Sequence, residues 1–112
     1  MCRSVLVVDQ MNAGAHYLAG LCADYAMDRA RAVWHAQTAA YLDNQFAMPR
    51  LHLGILAKSV GDHETARREL ERALSLLGRE DPARILVFGG GFGREALVSL
   101  CRAQLDSLGE LP

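Results

Sequence analysis

The residues whose arrangement most suggests chemistry lie near the C-terminal end, where Ile85-Leu86-Val87-Phe88 runs into Gly89-Gly90-Gly91-Phe92-Gly93 and then into a helix-forming stretch. An apolar segment followed by glycines and a helix is the pattern of nucleotide and S-adenosylmethionine sites. Glycines there let backbone N–H groups approach a phosphate or carboxylate at a helix N-terminus. The run contains Gly91-x-Gly93-x-x-Ala96. Its setting argues against that chemistry. A mononucleotide fold needs a further strand and an acidic residue about 20 positions later, and the sequence ends at Pro112. Val87 also stands where a methyltransferase glycine motif carries an acidic side chain. The expectation is therefore a flexible, backbone-shaped link that lays Ile85, Val87 and Phe88 over a helical core, with no cofactor bound and no catalytic residue.

The other reactive side chains are scattered. His16, His35, His52 and His63 have no paired spacing with one another or with Cys2, Cys22 and Cys101, so no metal site is predicted. His16 and His52 are expected on partly exposed helix faces. Cys22 and Cys101 are expected as small buried apolar residues, with no base placed to activate either thiol. Trp34 and Tyr41, seven apart, are expected to pack in the core.

Composition narrows the class further. A chain of 112 residues with 51% hydrophobic content is long enough for one domain with a shared core. Its 12 basic and 13 acidic residues leave a net charge of -1, which offers no electrostatic footprint for nucleic acid or an anionic membrane surface. Three well-separated cysteines and an apolar stretch at 5–8 too short for a signal peptide predict a reduced, cytoplasmic setting. No apolar run reaches the roughly 20 residues of a membrane-spanning helix, so membrane insertion is not expected.

The elements that must position these residues come from a repeat. An offset of 34 pairs Gly20 with Gly54, Ala13 with Ala47, Ala23 with Ala57, Asp28 with Asp62, Ala32 with Ala66 and Ala39 with Ala73. Small residues recur where two helices of a hairpin approach closely and a larger side chain would hold the backbones apart. Leu51, Ile55 and Leu56 before the turn, and Leu70, Ala73, Leu74 and Leu77 after it, keep helical spacing. Gly61-Asp62 marks the turn of the second copy, glycine for a left-handed helix terminus and aspartate as cap; Met27-Asp28 in the first copy keeps only the cap.

The predicted organisation is a single all-α domain of antiparallel helical hairpins, with helices near 3–9, 13–26, 29–43, 47–60 and 63–78. Residues 1–11 read as the end of a preceding repeat, 12–45 as repeat 1, 46–79 as repeat 2, 80–93 as a glycine-rich link and 94–108 as a C-terminal capping helix. Val5, Leu6 and Val8, left without a preceding neighbour, are expected to fold over the first hairpin or to mediate a homodimer. In 94–108 the stripe Leu97, Leu100, Cys101, Leu105 and Leu108 is amphipathic.

Gly54, Ala66, Leu70 and Ala73 follow the pattern of the tetratricopeptide repeat, which the chain resembles. In the first copy Gly20, Ala32 and Ala39 match, while Ala36 replaces the large apolar residue and Asn44 stands where the pattern favours proline. A narrower resemblance rests on Asn12-Ala13-Gly14-Ala15-His16-Tyr17-Leu18, Ala40-Tyr41-Leu42-Asp43, Phe46-Ala47-Met48-Pro49-Arg50-Leu51-His52-Leu53-Gly54, and Phe88 through Leu97. These are similar to the C-terminal repeat region that follows the catalytic domain of some CheR-type chemotaxis receptor methyltransferases. That family transfers a methyl group from S-adenosylmethionine to receptor glutamates, and its catalytic and cofactor residues lie in a domain with no counterpart here. What the resemblance implies is a regulatory or targeting region with a receptor, a signalling protein or the methyltransferase domain as partner.

The function expected is a non-catalytic protein- or peptide-binding module whose concave face is made by the first helices of the hairpins. Its inward positions are Tyr17, Leu21 and Asp24 in the first repeat and Met48, Leu51, Ile55 and Lys58 in the second. The alternative is a self-associating structural spacer without a peptide ligand.

Overall fold

The structure, a computed structural model, describes residues 12–109, which form six helices. The short helix expected over residues 3–9, and with it the expected homodimer contact, lies outside the described residues. In chain order the helices are α1 (Ala13–Tyr25), α2 (Arg29–Leu42), α3 (Ala47–Ser59), α4 (His63–Leu77), α5 (Pro82–Phe88) and α6 (Arg94–Gly109). The packed pairs are α1 with α2, α3 with α4, α2 with α3, and α4 with α6. The described residues thus form an all-helical fold, two hairpins side by side with a final helix against the second.

Local chemistry starts each helix. Asn12, Asp28, Asp62 and Asp81 cap α1, α2, α4 and α5, their side-chain oxygens accepting from the N–H groups of Ala15 (3.1 Å), Arg31 (3.2 Å), Thr65 (3.2 Å) and Ala83 (2.9 Å). Helix α3 begins at Phe46, which has no capping side chain. The first N–H of α3, on Ala47, instead donates 2.8 Å to Glu80 Oε2, a buried carboxylate from beyond the second hairpin.

The two hairpins match position by position at the 34-residue offset. A Cβ on Gly20 would lie 3.3 Å from His35 Cβ, and one on Gly54 only 2.6 Å from Leu70 Cγ, so each glycine is where the first helix meets the second. Ala32 and Ala66, Ala36 and Leu70, and Ala39 and Ala73 are all fully buried. Met27 and Gly61 both hold positive φ, 64° and 80°.

One main core runs through both hairpins and the end helix. It gathers Tyr17, Phe46, Met48, Leu51, Leu70, Leu76 and Leu77 with Ile85, Leu97, Cys101 and Leu108. Within it Tyr17, Phe46 and Phe88 form a triangle of edge-on rings with centroids 5.7, 5.9 and 5.1 Å apart, joining α1, α3 and α5.

Several expectations about individual side chains are corrected. Trp34 and Tyr41 are 55% and 86% exposed rather than core. At the repeat offset they align with Arg68 and Ser75, both exposed, so α2 turns these positions outward. His16 and His52 are buried rather than partly exposed, and Cys22 is exposed. Between 80 and 93 the flexible glycine-rich link expected there contains the two-turn helix α5. A helix turns Ile85 and Phe88 inward together and leaves Val87, expected over the core, 68% exposed. The glycines that follow reverse the chain into α6, with Gly90 at φ 65° and Gly91 at φ 91°.

Candidate functional site

The seven residues expected on the binding face separate into two groups. Tyr17, Met48 and Leu51 are buried in the main core. Tyr17 is held by the aromatic triangle, and burial pushes its phenol up to about 12. These three residues present no surface to a partner; they hold α1 and α3 together. The cause is a helix rotation: positions 17 and 51 face the seam between hairpins, one turn before the outward positions 21 and 55.

Leu21, Asp24, Ile55 and Lys58 do lie toward solvent. Leu21 and Ile55, equivalent in the two copies, are each 37% exposed. Asp24, exposed on α1, accepts a 3.1 Å hydrogen bond from His52 Nε2 of α3. A carboxylate can only accept, so the Nε2 of His52 carries the proton. Lys58, half-buried at the far end of α3, donates 2.7 Å to Gln104 Oε1 of α6. The first-helix face is therefore an apolar pair, Leu21 and Ile55, with a carboxylate at one side and an ammonium at the other, each tied to a neighbouring element.

A second set of polar side chains was not foreseen. His16 and His35 approach to 3.1 Å between Nδ1 atoms, so one ring donates from that nitrogen while the other accepts. Burial lowers the His35 pKa, helped by the neighbouring His16 and Arg31. At the repeat offset the same two places hold Arg50 and Glu69, which pair at 2.9 Å. Both hairpins thus carry a polar pair across their helices at the same register. Aligning the copies would have revealed it, since Arg50 falls on His16 and Glu69 on His35.

Two carboxylates and two arginines tie the hairpins to α5 and α6. Glu80 Oε1 accepts from Arg84 Nε and Nη2, both at 3.0 Å, and Arg84 Nη1 also pairs with Asp43. The Arg84 guanidinium lies 4.3 Å over the Phe46 ring. Arg84, foremost by its hydrogen bond, holds the Asp43 carboxyl below the usual carboxylate range. Arg94 donates to the Leu77 and Glu80 carbonyls, which fixes the start of α6. These contacts are structural, closing helix ends. Burial pushes the Cys101 thiol up to about 11.

Among the described residues no group of three His, Cys, Asp or Glu side chains gathers as a metal site, and no helix is long and apolar enough to cross a membrane. No protein-family model matches the chain, and no curated protein matches its sequence.

Proposed function

We propose that this chain is a non-catalytic protein-interaction module of the tetratricopeptide type, which regulates or targets a CheR-type receptor methyltransferase in the cytoplasm. The observation that carries the fold part of this reading is the equivalence of the two hairpins at an offset of 34, down to the paired glycines, the paired aspartate caps and the equal 37% exposure of Leu21 and Ile55. Repetition of that kind stacks hairpins and sets their first helices side by side as one surface. The chemosensory part rests on the residue-level resemblance of Phe46 through Gly54 and Phe88 through Leu97.

The binding surface is narrowed to the solvent-facing members, Leu21, Asp24, Ile55 and Lys58. The test is capture from a lysate of the source cells by the intact chain and by a folded Leu21→Glu, Ile55→Glu double variant, with bound proteins identified by mass spectrometry. Recovery of chemoreceptors or a methyltransferase by the intact chain alone supports the reading. Recovery of the chain's own copies alone, with mass rising with concentration, points instead to the self-associating spacer.

A further inference from the structure

A groove between α2, α3 and α4, sharing no residue with the first-helix face, carries a different feature. It encloses about 310 Å³ and is lined by Gln37 and Tyr41 of α2, Arg50 of α3, and Thr65, Arg68 and Glu69 of α4. Arg50 Nη1 donates 2.9 Å to Glu69 Oε1, and Arg68 Nε stands 3.8 Å from Glu69 Oε2. Two guanidinium groups thus face one carboxylate, and one positive charge is left over.

The donors also outnumber the acceptors. Arg50 Nε is buried and has no hydrogen-bond partner among the described residues. The guanidinium open to an entering group is that of Arg68, 66% exposed against 26% for Arg50. The Thr65 hydroxyl, the Gln37 amide and the Tyr41 phenol add donors around the cavity. The first hairpin does not share this surplus, because His16 and His35 stand there in place of Arg50 and Glu69. On α2, Tyr41 lines the cleft and exposes aromatic surface there.

We propose that this groove binds the acidic side chain of a partner polypeptide. The exposed Arg68 guanidinium receives the carboxylate, Arg50 adds its charge beside it, and Tyr41 packs the residues flanking it. One surplus positive charge matches one carboxylate, whereas a phosphate dianion would leave net negative charge in the cleft. The volume is at the low end of ligand sites, roughly 300–1,000 Å³, which suits a side chain and its neighbouring backbone.

The test titrates the full chain with an end-capped Gly-Leu-Glu-Leu-Gly peptide, followed by calorimetry and by the fluorescence of Trp34, the single tryptophan. Arms with the Gln peptide, the phosphoserine peptide and free glutamate distinguish the sources of negative charge. The expected result is saturable binding of the Glu peptide that weakens with salt, and falls about 10-fold for the Gln peptide and for Arg68→Glu. Arg68 is mostly exposed, so this variant keeps its fold; Arg68→Lys retains binding within about 3-fold. Ile55→Glu, on the first-helix face, leaves it unchanged, so the two surfaces fail separately. The proposal is overturned by equal binding of the Gln peptide, by no effect of Arg68→Glu, by tighter binding of the phosphoserine peptide or equal binding of free glutamate, or by no saturable binding up to about 5 mM.

Discussion

Glu80 Oε2 accepts the Ala47 N–H at 2.8 Å across 33 residues of chain, so the second hairpin receives its N-terminal cap from the segment that follows it. The same carboxylate anchors Arg84, and through Arg84 it reaches Asp43. Removing one partner of such a buried network leaves the others unpaired. Glu80→Ala is expected to lower stability by about 3 kcal/mol in urea denaturation, and Glu80→Gln by less, since its amide oxygen can still accept. An Ala variant with the wild-type midpoint would show that water replaces the cap.

The two helix-crossing glycines are unequal. A Cβ at Gly54 would stand 2.6 Å from Leu70 Cγ and 3.3 Å from the Leu70 backbone nitrogen, whereas at Gly20 its nearest neighbour is 3.3 Å away. Gly54→Ala is expected to destabilise by about 1–3 kcal/mol through overpacking. Gly20→Ala should be nearly neutral, because a helix propensity gain of about 1 kcal/mol offsets the tighter contact. Thermal melts of both variants check the order; the reverse ranking would mean that α3 and α4 shift apart more easily than α1 and α2.

Met27 occupies the left-handed position that Gly61 fills in the second hairpin. A side chain there is strained whatever room surrounds it, and Met27 is almost fully exposed. Met27→Gly is expected to raise stability by about 1 kcal/mol, read as a higher urea midpoint at unchanged slope.

Helix α6 completes the core with Leu97, Cys101 and Leu108. Deleting residues 94–112 is expected to abolish the cooperative thermal transition, because α4 loses the cover over its buried leucines. The milder Leu97→Ala should remain folded and lose about 2–5 kcal/mol. A truncated chain that melts cooperatively at the original temperature would show that two hairpins suffice.

Asp43 supplies an acid-dependent contribution. Its folded-state pKa lies below that of the unfolded chain, so its pairing with Arg84 stabilises above the unfolded value, about 4, and is lost as pH falls through the lower folded value. Urea midpoints measured from pH 6 down to pH 2 should fall, with a shallower fall in Asp43→Asn. Parallel profiles would assign the acid limb to other carboxylates.

Helix positions were legible from local signals. The 34-residue spacing of small residues, the aspartates before α2 and α4, and the apolar spacing within each hairpin predict the first four helices to within a residue or two of their observed ends. Such signals are properties of neighbouring residues, because capping and close helix crossing act within one hairpin. Which way a helix face points across the stack is set elsewhere. Tyr17 and Leu51 carry the pattern of a surface, because apolar periodicity alone does not tell a seam between hairpins from an open face. Trp34 and Tyr41 carry the pattern of core for the converse reason: aromatic side chains suggest burial, but the packing of α1 and α3 takes up the inward side of α2.

The sequence by itself determined an all-helical chain built on a repeated hairpin, since helix propensity, capping and small-residue spacing are written residue by residue. Only the tertiary structure decided that Glu80 caps α3, that the glycine run turns from α5 into α6, and that Arg50 and Arg68 face a single carboxylate in a groove. Each joins groups distant in sequence or on different helices, and their energies arise only when burial removes water from all partners at once.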